Sequence, residues 1–247
     1  MSRLRSFASL SLLAGLALAA CAAPPLPAYP WEGPEKALRI LADRAASVRT
    51  VSATCTLVLS RPDGEGVSLD GAIAAGGTDR LRVRAWKFGH AVFDLTITPD
   101  GLWAWSAEDH PKAAEMLPPE VTAGRIADVW SRAGGALFRG RPLRVEDGGG
   151  PRFIAVFPLE PGTGVWACEI DRDTLTVRRC RVVDPSGRDR QTLSLERYAV
   201  VNGIVWPTRV QAVGEQGDIT IEMDDVQLNS DLPPSAFTPP SRAVKKP

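Results

Sequence analysis

The stretch from Arg80 to Trp105 constrains the fold most, because three short segments with strand-like alternation follow one another across two turns. In the first segment, apolar residues at 81, 83 and 85 alternate with arginines at 80, 82 and 84, which is the period of two of a strand with one buried face. Residues 91–98 repeat this pattern, Pro99-Asp100-Gly101 is a turn signal, and residues 102–105 return with two tryptophans on one face. Such a meander needs a cover or a ligand on its apolar face.

The rest of the chain predicts more of the same sheet and a few covering helices, a mainly β (α+β) fold. The 22 glycines and 21 prolines suit many turns between short strands, and Asn202-Gly203 is a strong hairpin signal. Outside the first meander, strands are predicted at residues 50–60, 67–75, 143–146, 152–158, 164–171, 174–183, 190–200, 204–213 and 218–226.

Two helices are predicted, at residues 33–49 and 119–133. In the first, Pro34 suits the first helical position, and apolar residues at 38, 41, 45 and 48 share one face. In the second, an apolar stripe ends at Gly134-Gly135, which stops the helix.

The N-terminus has the form of a lipoprotein leader. Arg3 and Arg5 precede an apolar run at residues 10–20, which is too short for a permanent membrane span, and Leu-Ala-Ala ends at Cys21. We expect a signal peptide at residues 1–20, lipidation of Cys21, and a Pro-rich tether over residues 21–32. The alternative is an ordinary leader with a chance cysteine. A single domain at residues 33–240 and a flexible tail at 241–247 complete the predicted organisation.

Charge and motifs argue against several functions. The chain has 29 basic and 29 acidic side chains, and removal of Arg3 and Arg5 with the leader leaves 27 against 29, a formal charge of −2. This balance disfavours a nucleic-acid partner. Neither His90 nor His110 belongs to a spaced ligand set, and no phosphate loop, dinucleotide fingerprint or nucleophile elbow is present. We therefore expect no metal, no cofactor and no enzymatic activity.

Three cysteines remain after Cys21, so they cannot all pair within one chain. A simple two-residue turn at residues 172–173 sets Cys168 opposite Val177, and Cys180 then faces the other side. A Cys168–Cys180 disulfide would need a bulge or another register, and buried free cysteines are the alternative; the sequence leaves open whether Cys55, Cys168 or Cys180 forms a disulfide.

The order of these elements resembles the LolA/LolB-like superfamily of lipoprotein-localisation factors, and more closely its lipobox-bearing members. The residues that carry the resemblance are the Arg82-Val83 strand, the hairpin at residues 93–105, the segment at 203–209, and Val226-Gln227-Leu228-Asn229 followed by Phe237-Thr238-Pro239. The resemblance implies an incomplete antiparallel β-barrel of about eleven strands, with helices over a concave apolar face that holds acyl chains. LolB-type members also engage the membrane through a projecting loop with an exposed apolar residue. The loops at residues 76–77 and 161–164 lack an apolar tip.

Together with the leader, the resemblance implies a bacterial outer-membrane lipoprotein, facing the periplasm, that binds acyl chains of lipids or lipoproteins. The alternative is an envelope module that binds a protein partner in assembly or stress sensing. The arginines at 80, 82 and 84 are expected to be solvated, and contact with anionic headgroups is a second possibility for them. Candidate wall residues, for which membership of an ordinary core is the competing interpretation, are Trp86, Phe88, Phe93, Leu95, Trp103, Trp105, Phe153, Phe157, Trp166 and Trp206.

Overall fold

The structure is a computed structural model that describes residues 24–77, 79–107, 130, 132, 134–159, 162–215 and 217–246. Cys21 and most of the predicted helix at 119–133 lie outside these residues, and within that helix Trp130 and Arg132 are helical. Helix α1 spans Pro34–Ser47, within the predicted 33–49, with Gly33 as its N-cap and proline in its first turn. No helix in the described ranges has the length and apolar character needed to cross a membrane.

Thirteen strands form one antiparallel sheet in the order β13-β5-β4-β3-β2-β1-β12-β11-β10-β9-β8-β7-β6. The strands are β1 Thr50–Ser60, β2 Gly66–Gly76, β3 Arg80–Lys87, β4 His90–Thr98, β5 Gly101–Ser106, β6 Arg144–Glu146, β7 Arg152–Pro158, β8 Val165–Asp171, β9 Val177–Val183, β10 Asp189–Val201, β11 Ile204–Gly214, β12 Gly217–Leu228 and β13 Val244–Lys246.

The sheet is open, with β13 and β6 at its two ends. Its thirteen strands exceed the predicted count of about eleven. One added strand, β13, lies in the segment predicted to be a flexible tail, and its Val244 and Lys245 pair with Ala104 and Trp103 of β5. A three-residue strand shows no alternation long enough to be recognised in a sequence.

One face of the sheet, here called the inner face, packs against α1 and carries most of the core. Alternate residues of each long strand point to it, for example Val51, Leu57 and Leu59 of β1, all of which are buried. On α1 the fully buried residues are Ala37, Leu41 and Ala45, while Leu38 and Val48 are partly buried against the same core. The predicted apolar stripe of this helix is thus confirmed.

The opposite face, here called the outer face, is crossed by residues 230–246, the C-terminal strap. The strap includes a short 3-10 helix at Pro234–Phe237. Its Phe237 lies so close to Gly76 that a Cβ at Gly76 would come within 3.1 Å of the ring. Arg82 donates to the backbone oxygens of Ser235 and Ala236 in the strap and to both carboxylate oxygens of Asp94. The strap therefore buries part of the polar face predicted to be solvated.

Cys168 and Cys180 form a disulfide across β8 and β9, with their Cα atoms 4.1 Å apart. The pairing register shifts between Glu169 and Ile170, so that Cys168 lies opposite Cys180 rather than Val177. The irregularity that the sequence required for this disulfide is therefore present. Cys55 is a buried free thiol.

The segment before α1 packs on the domain from Tyr29 onward. The Tyr29 backbone N–H donates to the Asp173 oxygen at 2.7 Å. The centres of the Trp31 and Phe153 rings are 5.2 Å apart, and the Arg172 guanidinium lies 4.4 Å from the centre of the Trp31 ring. The stretch predicted as a tether over residues 21–32 thus includes residues that belong to the folded core.

Candidate functional site

The space between α1 and the inner face holds two adjoining cavities, of about 90 and 40 Å³. Ala45, Val48, Gly134 and Trp206 line both of them. Ligand pockets commonly have about 300–1,000 Å³, so the described walls enclose space for only a small group. A longer ligand would require α1 to move away from the sheet.

The larger cavity, here called the α1 cavity, combines an apolar wall with a charged rim. Its apolar wall includes Val51, Ala75, Leu81 and Ile97 of four different strands. Its charged lining residues are Arg49, Arg80, Arg139 and Asp79. All four are exposed. The Arg139 guanidinium is held by a 3.0 Å hydrogen bond to the Ala45 backbone oxygen.

Trp206 is the most enclosed polar group at this site. It is 4% exposed and lies beside Trp130, with 6.1 Å between the ring centres. Its indole N–H has no hydrogen-bond partner within the described ranges. Such an unpaired buried donor is costly, and an acceptor on a bound ligand would remove that cost.

Six of the ten predicted wall residues lie on the inner face and are buried. Phe93 and Leu95 stand opposite Ala85 and Val83, and Phe157 stands opposite Trp166. Of the six, Trp206 lines the two cavities. The other five, which are core residues in this form of the protein, are Phe93, Leu95, Phe153, Phe157 and Trp166.

Three predicted wall tryptophans lie on the outer face instead, which corrects their assignment to the apolar wall. Trp105 pairs with Asp94, and Trp103 pairs with Thr96, both on the face opposite Phe93 and Leu95. Trp86 follows Arg84 at a spacing of two on β3 and shares its face. All three are partly buried. The alternation of the sequence assigned residues to two faces of each strand. The large aromatic side chains did not show which of the two faces is the covered, apolar one.

The tenth residue, Phe88, lies in the turn between β3 and β4 and is 87% exposed. Its φ of 51° is in the left-handed region, and Gly89 follows it. Lys87 lies over its ring at 5.7 Å. Phe88 is thus an apolar loop tip and not a wall residue, which corrects its assignment to the apolar wall.

A wider open groove of about 490 Å³ lies on the outer face beside the strap. Its floor is made of small side chains, including Ser52, Thr54, Ala72 and Ala74, and Arg84 lies at its side. Arg84 is 59% exposed and lies 3.5 Å from Asp94. Small polar and apolar groups on a flat sheet offer contact area to a partner but no enclosed cavity.

The His90 and Cys55 side chains, in the described part of the chain, lie outside the two cavities. No group of three or more His, Cys, Asp or Glu residues there could hold a metal ion. His90 begins β4 and is exposed, and His110 lies outside the described residues. Burial raises the pKa of the Cys55 thiol to about 12, and the Asp224 charge adds to the shift. The thiol is therefore protonated and unreactive at neutral pH.

Comparison with known proteins finds likeness at the level of the fold. No protein-family model and no curated protein matches the sequence. Solved structures do match in fold. A DUF1329 family protein from Desulfovibrio piger has a TM-score of 0.60 at 12% identity, over 83% of this chain and 96% of that one.

Two further solved structures also match in fold. A LolA superfamily protein from Nitrosomonas europaea has a TM-score of 0.55 at 15% identity, over 82% of this chain and 97% of that one. A domain from Vibrio parahaemolyticus, named for outer membrane lipoprotein sorting, has a TM-score of 0.53 at 14% identity, over 82% and 96%. At these identities the likeness is one of fold alone, which this chain shares with the DUF1329 protein, the LolA superfamily protein and the lipoprotein-sorting domain.

Proposed function

We propose that this protein binds acyl chains of lipids or lipoproteins between α1 and the inner face, and takes part in their trafficking to the outer membrane. The observation that carries the proposal is the pair of cavities beside α1, bounded by an apolar sheet face that a single described helix covers. Acyl chains require an apolar and adaptable surface and few directed contacts. The names of the LolA superfamily and lipoprotein-sorting neighbours support this assignment.

The contacts of α1 suit a cover that moves. Its fully buried side chains are two alanines and one leucine. Full burial of one leucine contributes about 1.5–3 kcal/mol, and alanines contribute less, so the apolar contact that holds α1 is modest. Arg44 adds hydrogen bonds to the Leu175 oxygen and the Tyr29 hydroxyl. Displacement of α1 would join the two cavities and expose the apolar wall of the inner face.

The proposal includes a lipid anchor at Cys21 and a location at the periplasmic face of the outer membrane. Tyr29 and Trp31 are docked on the domain. Residues 22–28 therefore form the tether, and an extended chain of this length reaches about 20 Å. The domain would stay close to the membrane that holds its anchor.

Phe88 is the residue we assign to membrane contact. It is an almost fully exposed aromatic side chain at a hairpin tip, next to Lys87. An apolar ring with a neighbouring cation suits insertion among lipid headgroups. It supplies the exposed apolar loop residue that the resemblance to LolB-type members implies.

A second candidate function, recognition of a protein partner without enzymatic activity, is favoured by the outer face. The partly buried Trp86, Trp103 and Trp105 lie on this face, which also holds the open groove beside the strap. Aromatic residues are enriched where proteins meet. This function predicts a filled inner face in every state of the protein.

The test is acyl-probe binding to residues 22–247, which retain every residue that the structure describes. Val48→Phe should fill the space beside α1 and weaken binding of a fluorescent fatty-acyl probe by at least about tenfold, since Val48 lines both cavities. Val213→Phe is the matched control, because Val213 is 41% exposed on β11. Native mass spectrometry without detergent should show lipid on the wild-type protein. A wild-type protein that binds neither lipid nor probe would leave partner recognition as the function.

A further inference from the structure

We infer that the α1 cavity selects acyl ligands with an anionic head group, which it holds at an arginine rim while the chain enters beside α1. This inference rests on the proposed function and deepens it by naming the class of ligand. The shared chemistry is one acyl chain that ends in a carboxylate or a phosphate. A neutral acyl ester of the same length would lack the charged contact.

The first support is the composition of the rim. The rim carries three guanidinium groups, those of Arg49, Arg80 and Arg139, and one carboxylate, that of Asp79. No described carboxylate forms an ion pair with any of the three. Arginines elsewhere on the surface are commonly paired, as Arg190 is with Asp184 and Glu215. Among the described residues, the rim thus carries more positive than negative charge at the mouth of an apolar cavity.

The second support is that separate elements hold the three arginines at one end of the strands. Arg80 begins β3, Arg49 directly precedes β1, and Arg139 ends the short 3-10 helix at Ala136–Arg139. The Arg49 backbone N–H is fixed by Asn229 Oδ1 at 2.7 Å, and the Arg139 side chain by the Ala45 oxygen. Guanidinium groups bind carboxylates and phosphates through paired N–H donors.

The third support comes from Trp206, which lines the cavity and whose buried indole N–H has no hydrogen-bond partner among the described residues. A carbonyl or carboxylate oxygen just inside the mouth would accept from this donor. The cavity therefore offers charge at the rim, one donor in the wall and apolar side chains beyond. An acyl lipid has the same order of groups, with a charged head, then a carbonyl or carboxylate oxygen, then an apolar chain.

The experiment compares three ligands of one chain length on residues 22–247. Palmitate and palmitoyl lysophosphatidylglycerol carry carboxylate and phosphate heads, and monopalmitoylglycerol is neutral. We expect the anionic ligands to displace a fluorescent acyl probe at about fivefold to tenfold lower concentration in low salt, with a smaller preference in 0.5 M salt because exposed charges are screened. If palmitate alone is preferred, the ligand source is a free fatty acid; if the lysolipid is preferred, it is a phospholipid.

Arg80→Gln should weaken the two anionic ligands more than monopalmitoylglycerol, and so reduce this preference. Arg188→Gln is the matched control, an exposed arginine in the turn between β9 and β10, at the other end of the strands. Trp206→Phe keeps an aromatic ring without the donor, and should weaken all three ligands by a similar factor. Equal affinity of wild-type protein for the anionic and neutral ligands would overturn the inference while the proposed function stands. Absence of binding by all three would instead overturn the proposed function.

Discussion

At the residue scale, Asp94 shows how a polar position in a strand becomes structural. It is 6% exposed and accepts from Arg82 at 3.0 and 2.8 Å. Thr96 adds a hydrogen bond at 3.3 Å. Alternation in the sequence placed Arg82 and Asp94 correctly on the face opposite Leu95, but predicted a solvated face. The strap covers this pair through the hydrogen bonds of Arg82 to Ser235 and Ala236, which lie 153 and 154 residues further along the chain. The pattern of residues 80–98 alone gives no sign of this distant cover.

Asp94→Ala should lower the free energy of unfolding by about 3 kcal/mol, because it leaves the Arg82 guanidinium partly buried and unpaired. Glu146→Ala is the control, since the Arg144–Glu146 pair is exposed and should contribute less than about 1 kcal/mol. Urea unfolding followed by tryptophan fluorescence measures both. Equal losses for the two variants would show that Asp94 acts as an ordinary surface charge.

At the element scale, length and period decided what the sequence could predict. The strand at residues 50–60 and the helix at 33–49 were predicted within two residues, because each has a long apolar period. The connection between β8 and β9 was not predicted correctly. Asp171 accepts from the backbone N–H groups of Asp173 and Thr174, and Leu175 has a φ of 49°. This longer turn changes the register, and a two-residue turn was the wrong template.

The disulfide in this hairpin should stabilise the whole sheet, since it joins two buried strands of the inner face. Cys168→Ser with Cys180→Ser should lower the free energy of unfolding by about 3 kcal/mol, the value for closing a loop of about 15 residues. Urea unfolding of the wild-type protein with and without reductant gives the comparison. Reductant should not change the urea midpoint of the double variant, which lacks this disulfide and whose Cys55 is a buried, protonated free thiol. An identical midpoint for oxidised and reduced wild-type protein would contradict this prediction.

At the scale of the whole molecule, the C-terminal strap closes one edge of an open sheet. β13 pairs with β5, which would otherwise present an unpaired edge that carries Trp103 and Trp105. Lys245 lies over the Trp103 ring at 5.4 Å. Exposed edge strands with apolar side chains tend to pair with other chains. The opposite edge strand, β6, has only three residues and offers little surface for such pairing.

Two truncations separate the contributions of the strap. Removal of residues 243–247 deletes β13 and keeps Phe237, so we expect a folded protein that self-associates through β5 as its concentration rises. Removal of residues 231–247 also uncovers Gly76 and the Arg82–Asp94 pair, so we expect self-association together with a loss of about 3 kcal/mol or more in unfolding free energy. Sedimentation velocity measures the first effect and urea unfolding the second. If the shorter truncation stays monomeric at every concentration, β13 does not protect the edge, and the strap serves only to cover the outer face.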